Sequence, residues 1–136
     1  MKALELRGHN LEALALDERP MPEPKPNEVL VKINAASLNF RDYAVAMGRY
    51  QTNLPLPFVP LSDGAGTVVA VGSDVTQFKR GDRVTSHYTT AWQSGRFMEH
   101  YHQSKLGGAL DGLAQEYRSL PEHAWVSTPK TLTDEQ

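Results

Sequence analysis

At 136 residues the chain suits one domain, and 40% hydrophobic content is enough for a core. Fourteen Lys and Arg against sixteen Asp and Glu give a net charge of −2, with no basic stripe to grip nucleic acid. There is no Cys, so no disulfide framework or thiolate metal site; no apolar run is of membrane-spanning length, and a cytoplasmic protein with neither nucleic-acid nor membrane partners is expected.

Lys2–Arg7 and Leu11–Leu16 read as two short strands around a turn at Gly8, His9 and Asn10. Pro20, Pro22, Pro24 and Pro26 follow. Alternate prolines fix an extended path, which suits a rigid crossover. Glu28–Ala36 is a strong strand, with Val29, Val31 and Ile33 on one face and Leu30, Lys32 and Asn34 on the other. Asn39 then stands where a helix cap belongs, with Asp42 three residues on to answer it. Tyr43–Met47 completes a short helix that Gly48 ends.

Leu61–Val84 is the most informative stretch. Gly64 and Gly66 precede a β-branched run, Thr67–Val71, and turns at Gly72–Asp74 and Gly81–Asp82 follow. Tight turns around Val-rich strands are barrel-like chemistry. Thr85–Asp111 is irregular and rich in aromatics and glycine, a long surface excursion. Leu113–Arg118 and His123–Val126 resume strand character. Thr133 and Gln136 have the spacing of a capping box, so a helix is expected to open there and the polypeptide to be part of something longer.

Taken together these motifs resemble the N-terminal half of a medium-chain dehydrogenase/reductase. The carrying residues are Glu28–Lys32, Ser37–Asp42, Pro60–Gly72, Gly81–Val84, Asp111–Tyr117, Pro121–Ala124 and Thr133–Gln136. The resemblance is to the GroES-like domain of zinc-type alcohol dehydrogenases and zinc-free quinone oxidoreductases. It implies a mainly β fold, a partly open barrel with short helices and one long irregular loop. Residues 1–136 then form the N-terminal part of a catalytic domain, without the Rossmann domain and the C-terminal return. No G-x-G-x-x-G opens a helix, since Gly64 and Gly66 lead into strand residues.

Zinc-type members carry a Cys where this chain has Asn39, and a His-Glu pair where it has Ser62 and Asp63. Neutral Asn and Ser are poor zinc ligands, so no metal is expected. His100 and His102 are expected on one side of an extended loop segment, without further ligands.

The zinc-free members imply hydride transfer from NADPH or NADH to a carbonyl, enone or quinone, with the cofactor held mainly by the absent Rossmann domain. Asn39 has two open roles, helix cap and hydrogen-bond donor to a substrate carbonyl. Tyr50 matches, in spacing, a tyrosine that can donate a proton in polyketide-synthase enoyl reductases; the rival reading is an aromatic packed on a loop. Phe40, Arg41, Ser62, Asp63 and Tyr88 are the other candidates to line the substrate and cofactor cleft. Arg41, which could contact a cofactor phosphate, reads rather as a solvated surface residue, Asp42 as structural, and Trp92 as loop packing. Leu38, Phe40 and Phe58 are expected to be exposed and apolar, a surface through which the chain could form homodimers. Alone, the chain should be inactive or nearly so. The competing function is a stand-alone GroES-like binding or scaffolding module.

Overall fold

A computed structural model describes residues 1–50 and 54–136. The sheet is built around β3 (Glu28–Ala36), whose bounds match the sequence expectation. On one side it pairs with β6 (Tyr117–Pro121), on the other with β4 (Gly64–Val71). Then come β5 (Arg83–Ser86) and β7 (Trp125–Ser127), giving an antiparallel order β6-β3-β4-β5-β7. A two-stranded hairpin, β1 (Lys2–Leu6) and β2 (Leu14–Glu18), stands beside this curled sheet. The result is the expected mainly β, partly open barrel. No helix among the described residues is long and apolar enough to cross a membrane.

The core follows from β-branched residues on the inner face. Val29, Val31, Val68 and Val84 pack with Leu106, Leu113, Leu120 and Trp125. Each such burial contributes roughly 1.5–3 kcal/mol before the entropy of ordering is counted. Leu30 departs from strict alternation and is buried too. The register against β4 shifts between Leu30 and Val31, and a shift of that kind breaks the two-residue period. Gly66 lies opposite Ile33, where a Cβ would sit 2.1 Å from the Lys32 carbonyl oxygen. Only glycine lets the two backbones approach this closely.

Several strand bounds differ from expectation for local reasons. Asn10 caps a single 3-10 turn, Leu11–Ala13, its side-chain oxygen accepting the Ala13 N–H at 2.8 Å. That turn delays β2 to Leu14. Leu113–Glu116 does not join the main sheet as a strand. Leu113 and Ala114 donate their N–H groups to Leu61 and Pro60, and the Ala114 carbonyl accepts from Leu4. His123 lies in a 3-10 turn, Glu122–Ala124, so β7 begins only at Trp125. No helix opens at Thr133; the Gln136 side chain does accept the Thr133 N–H at 3.0 Å, one half of the expected capping box.

A second, smaller core joins the helix α1 (Phe40–Ala46) to the hairpin through Leu6, Val45, Ala46 and Phe58. This corrects one expectation. Phe58 is not exposed but buried at 3%, because its backbone bridges to Leu6 on the open edge of β1. Leu38 and Phe40 are exposed as expected, at 84% and 83%. Charge ties the hairpin to the return segment. The Arg19 guanidinium donates to Glu5 at 2.6 Å and to Asp111 at 2.5 Å.

Candidate functional site

The end of β3, the start of α1 and the start of β4 meet at one corner. Asn39 has extended backbone geometry and begins α1. The Asp42 carboxylate accepts the Asn39 N–H at 2.9 Å, so the helix start is satisfied from the acid side. The Asn39 amide nitrogen has its own partners. It donates to Ser37 Oγ at 3.0 Å and to Asp63 Oδ2 at 2.9 Å. Ser62 donates its hydroxyl to the same Asp63 oxygen at 2.7 Å. The helix-cap role open to Asn39 is filled, since Asn39 and Asp42 form a capping box, while its amide nitrogen also joins a polar cluster with Ser62 and Asp63.

The corner is held from behind. Leu61 has a left-handed backbone, φ 72°, a strained conformation for a side chain of its size. Glycines pack against it: a Cβ at Gly107 would meet the Leu61 backbone at 2.7 Å, and one at Gly112 would lie 2.0 Å from its carbonyl oxygen. Ser62 and Asp63 are therefore aimed by a clamp drawn from the far end of the long loop.

A cleft of about 520 Å³ opens beside this corner, lined by Ala35, Ser37, Asp63, Thr85, Val126 and the residues from Leu132 to Gln136. The tail is pinned along it. Asp134 accepts from Arg83 at 2.6 and 2.8 Å and from Asn34 at 2.7 Å. These bonds hold the Asp134 carboxyl below its usual range, the Asn34 amide first among them.

The titratable cluster lies on the other side of the corner rather than in that cleft. Arg41, on α1, is not solvated as the sequence suggested. The long loop closes over it, and it donates to the Leu106 carbonyl at 3.0 Å. Its guanidinium carbon lies 5.1 Å from the centre of the Tyr50 ring and 5.0 Å from that of Tyr88. Cations on aromatic faces are favourable when water is excluded. Lys105 completes the group, its ammonium 3.5 Å from the Tyr50 hydroxyl. The two phenols are pushed apart. Burial, helped by a hydrogen bond to Tyr50, drives Tyr88 up to about 12. The hydrogen bond to Tyr88, followed by the Lys105 charge, moves Tyr50 down. Burial also pushes the Asp42 carboxyl up, although Arg41 is 3.9 Å away.

The structure thus gathers Asn39, Ser62 and Asp63 in one cluster and Arg41, Tyr50 and Tyr88 in a second. Phe40 joins neither and points outward, its ring 6.5 Å from Tyr43. Sequence reasoning missed Ser37 and Lys105. Ser37 could have been found as the residue two before a capping Asn; Lys105 carries no local mark. Trp92 packs within its own loop, edge-on to Phe97 at 5.5 Å and bonded to the Gly95 carbonyl. His100 and His102 do not share one side of an extended strand. They lie in a 3-10 helix, Glu99–Ser104, where residues two apart diverge around the axis. His100 packs against Tyr101, and His102 against Phe97.

The corner is a poor fit for zinc. It offers one carboxylate, one oxygen of which already accepts two hydrogen bonds, beside a neutral amide and a hydroxyl. Among the described residues no three His, Cys, Asp or Glu side chains converge.

Residues 25–130 match the alcohol dehydrogenase GroES-like domain. The chain is 45% identical over 121 residues to a zinc-type alcohol dehydrogenase-like protein of Schizosaccharomyces pombe, covering 88% of this chain and 35% of that one. It is 40% identical over 137 residues to a chloroplastic quinone-oxidoreductase homolog of Spinacia oleracea, covering 98% and 36%. A thermostable alcohol dehydrogenase from Pyrobaculum aerophilum superposes with a TM-score of 0.83 at 31% identity, over 94% of this chain and 40% of the other. The chain spans little more than a third of the length of these curated relatives. With a matched domain over most of its length and this architecture, the chain belongs to the alcohol dehydrogenase GroES-like family, within the medium-chain dehydrogenase/reductase oxidoreductases.

Proposed function

We propose that this chain is one wall of the active site of a zinc-independent NAD(P)H-dependent oxidoreductase. The substrate is a quinone, enone or aldehyde, reduced by hydride transfer from the nicotinamide. The observation that carries the reading is the Asn39–Ser62–Asp63 corner, three side chains hydrogen-bonded to one another where the resemblance would put zinc ligands. Asn39 can turn its amide to a substrate carbonyl and offer an N–H where negative charge develops. Tyr50, exposed at 45%, is the proton donor. Phe40, Arg41 and Tyr88 complete this wall. A Rossmann domain beyond residue 136 supplies most of the dinucleotide site and the other wall. The Cys-free sequence suits a reducing compartment, and we assign the protein to the cytoplasm.

The experiment is a reductase assay on the protein extended past Gln136. NADPH should be consumed with a quinone or enone, at a rate that survives dialysis against a chelator. Loss of rate on metal removal would overturn the zinc-free reading; no turnover with any of the three substrate classes would overturn the activity. The 136-residue chain by itself should bind NADPH no more tightly than about 1 mM in a calorimeter, since its share of the dinucleotide contacts is small.

A further inference from the structure

Lys105 is only 6% exposed, an unusual place for an ammonium. The one hydrogen bond of its ammonium among the described residues is the 3.5 Å contact to the Tyr50 hydroxyl. Otherwise aromatic rings surround it, with Tyr88 at 5.5 Å, Phe97 at 5.6 Å and Tyr50 at 5.9 Å from their centres. Arg41 stands between the two tyrosines, and its Nε and Nη2 are buried without a hydrogen-bond partner. Two cations therefore share one desolvated spot. Asp42 is the acid within ion-pair distance of Arg41, and its remaining oxygen is buried and unbonded. Buried charge without an answering charge is costly, several kcal/mol per ion in typical cases. A negative charge on the Tyr50 oxygen would answer both cations.

The geometry points to Lys105 as a positioning residue that, with Arg41, holds the Tyr50 hydroxyl to protonate an enone substrate at carbon and then holds the phenolate left behind. This rests on the hydride-transfer reading above and narrows it to activated C=C bonds. Hydride arriving at the β-carbon leaves the substrate as an enolate. The Tyr50 O–H bond then breaks. Its proton joins the α-carbon, using the enolate electron pair to form the new C–H bond, and the O–H pair stays on the Tyr50 oxygen. Lys105 and Arg41 balance that charge until water returns a proton. Tyr50 opens onto a hollow of about 630 Å³ shared with Glu99, His100 and His102, so water can reach it.

The groups facing Tyr50 come from three elements. Arg41 lies on α1, Tyr88 follows β5, and Lys105 follows the 3-10 helix that carries Glu99, His100 and His102. Glu99 lies 3.8 Å from His102, an exposed pair that is weak against a buried ammonium.

The test is a pH titration of the 136-residue chain labelled with ¹³C at tyrosine Cζ, followed by NMR, with Tyr50→Phe assigning the signal. Tyr50 should ionise before Tyr88. Lys105→Met should weaken the Tyr50 ionisation constant at least about tenfold, since a cation at this range favours the phenolate. Lys105→Arg should keep it within about threefold of the parent. Tyr50 ionising together with or after Tyr88 in the unaltered chain would overturn the proposal, and that ordering needs no variant to fold. An unchanged constant in Lys105→Met would overturn it as well. Neither cofactor nor substrate enters this titration. Its failure removes Lys105 and leaves the reductase assay standing; a silent reductase with the expected titration removes the activity instead.

Discussion

Gly66 and Gly81 are both turn-chemistry residues in the sequence, yet the structure gives them different weights. At Gly66 a Cβ would press on the Lys32 carbonyl at 2.1 Å, with Val31 and the Lys32 carbonyl carbon also inside 3 Å. Gly66→Ala must push β3 and β4 apart, at a cost of about 3 kcal/mol or more. At Gly81 the space is empty and only its backbone, φ 93°, resists a side chain. Gly81→Ala should cost about 1 kcal/mol. Urea melts of the two variants check the contrast, and equal losses would contradict the packing account. Side-chain roles at this scale divide the same way. The Asn39 and Asp42 spacing was readable because a helix start is a local event. Lys105 was not, because its burial is made by Tyr50, Tyr88 and Phe97, which are far from it or unremarkable in sequence.

Elements with strong local patterning appear where the sequence puts them. β3 keeps its bounds because nine residues of strand-forming character run between a proline connector and a helix cap. β2, β6 and β7 shift because single turns and backbone bridges decide where pairing starts, and such choices depend on residues distant in the chain. Phe58 shows the same limit, since a loop between prolines gives no periodicity to say that it bridges to Leu6. The tail from Leu132 to Gln136 is an element of the opposite kind, pinned by polar bonds to Asn34 and Arg83. A carboxylate kept below its usual range stabilises the folded arrangement at pH above its ordinary value of 3.8. That stabilisation is lost as pH falls through the lowered value. The tail should therefore loosen in acid, below about pH 4, ahead of the barrel. Amide exchange at Leu132–Gln136 measures it. Asp134→Asn should show the loosened exchange already at neutral pH, and a tail equally protected in that variant would contradict the Arg83 anchor.

At the scale of the whole molecule, the outward residues matter most. Leu38 and Phe40 flank the Asn39 corner and are almost fully exposed. In the proposed enzyme they meet the rest of the protein. In the 136-residue chain they leave apolar surface in water, which favours pairing of two copies. Sedimentation velocity should show concentration-dependent association that weakens at least about fivefold in a Leu38→Ser, Phe40→Ser double variant. A chain that stays monomeric at high concentration would contradict this. The general fold class was legible because family motifs are spread along the whole chain; the outward face was legible at Leu38 and Phe40 and misread at Phe58. The glycine clamp on Leu61 divides the long loop into two regimes. Around Gly107 and Gly112 nothing larger can be accommodated, so that end is closed to change. Between Trp92 and Gln103 no backbone presses on a glycine, and the constraints are the positive φ of Gly95 and the packing of Phe97 on Lys105, so descendants of this chain can alter the exposed positions there while the aim of Asp63 stays fixed.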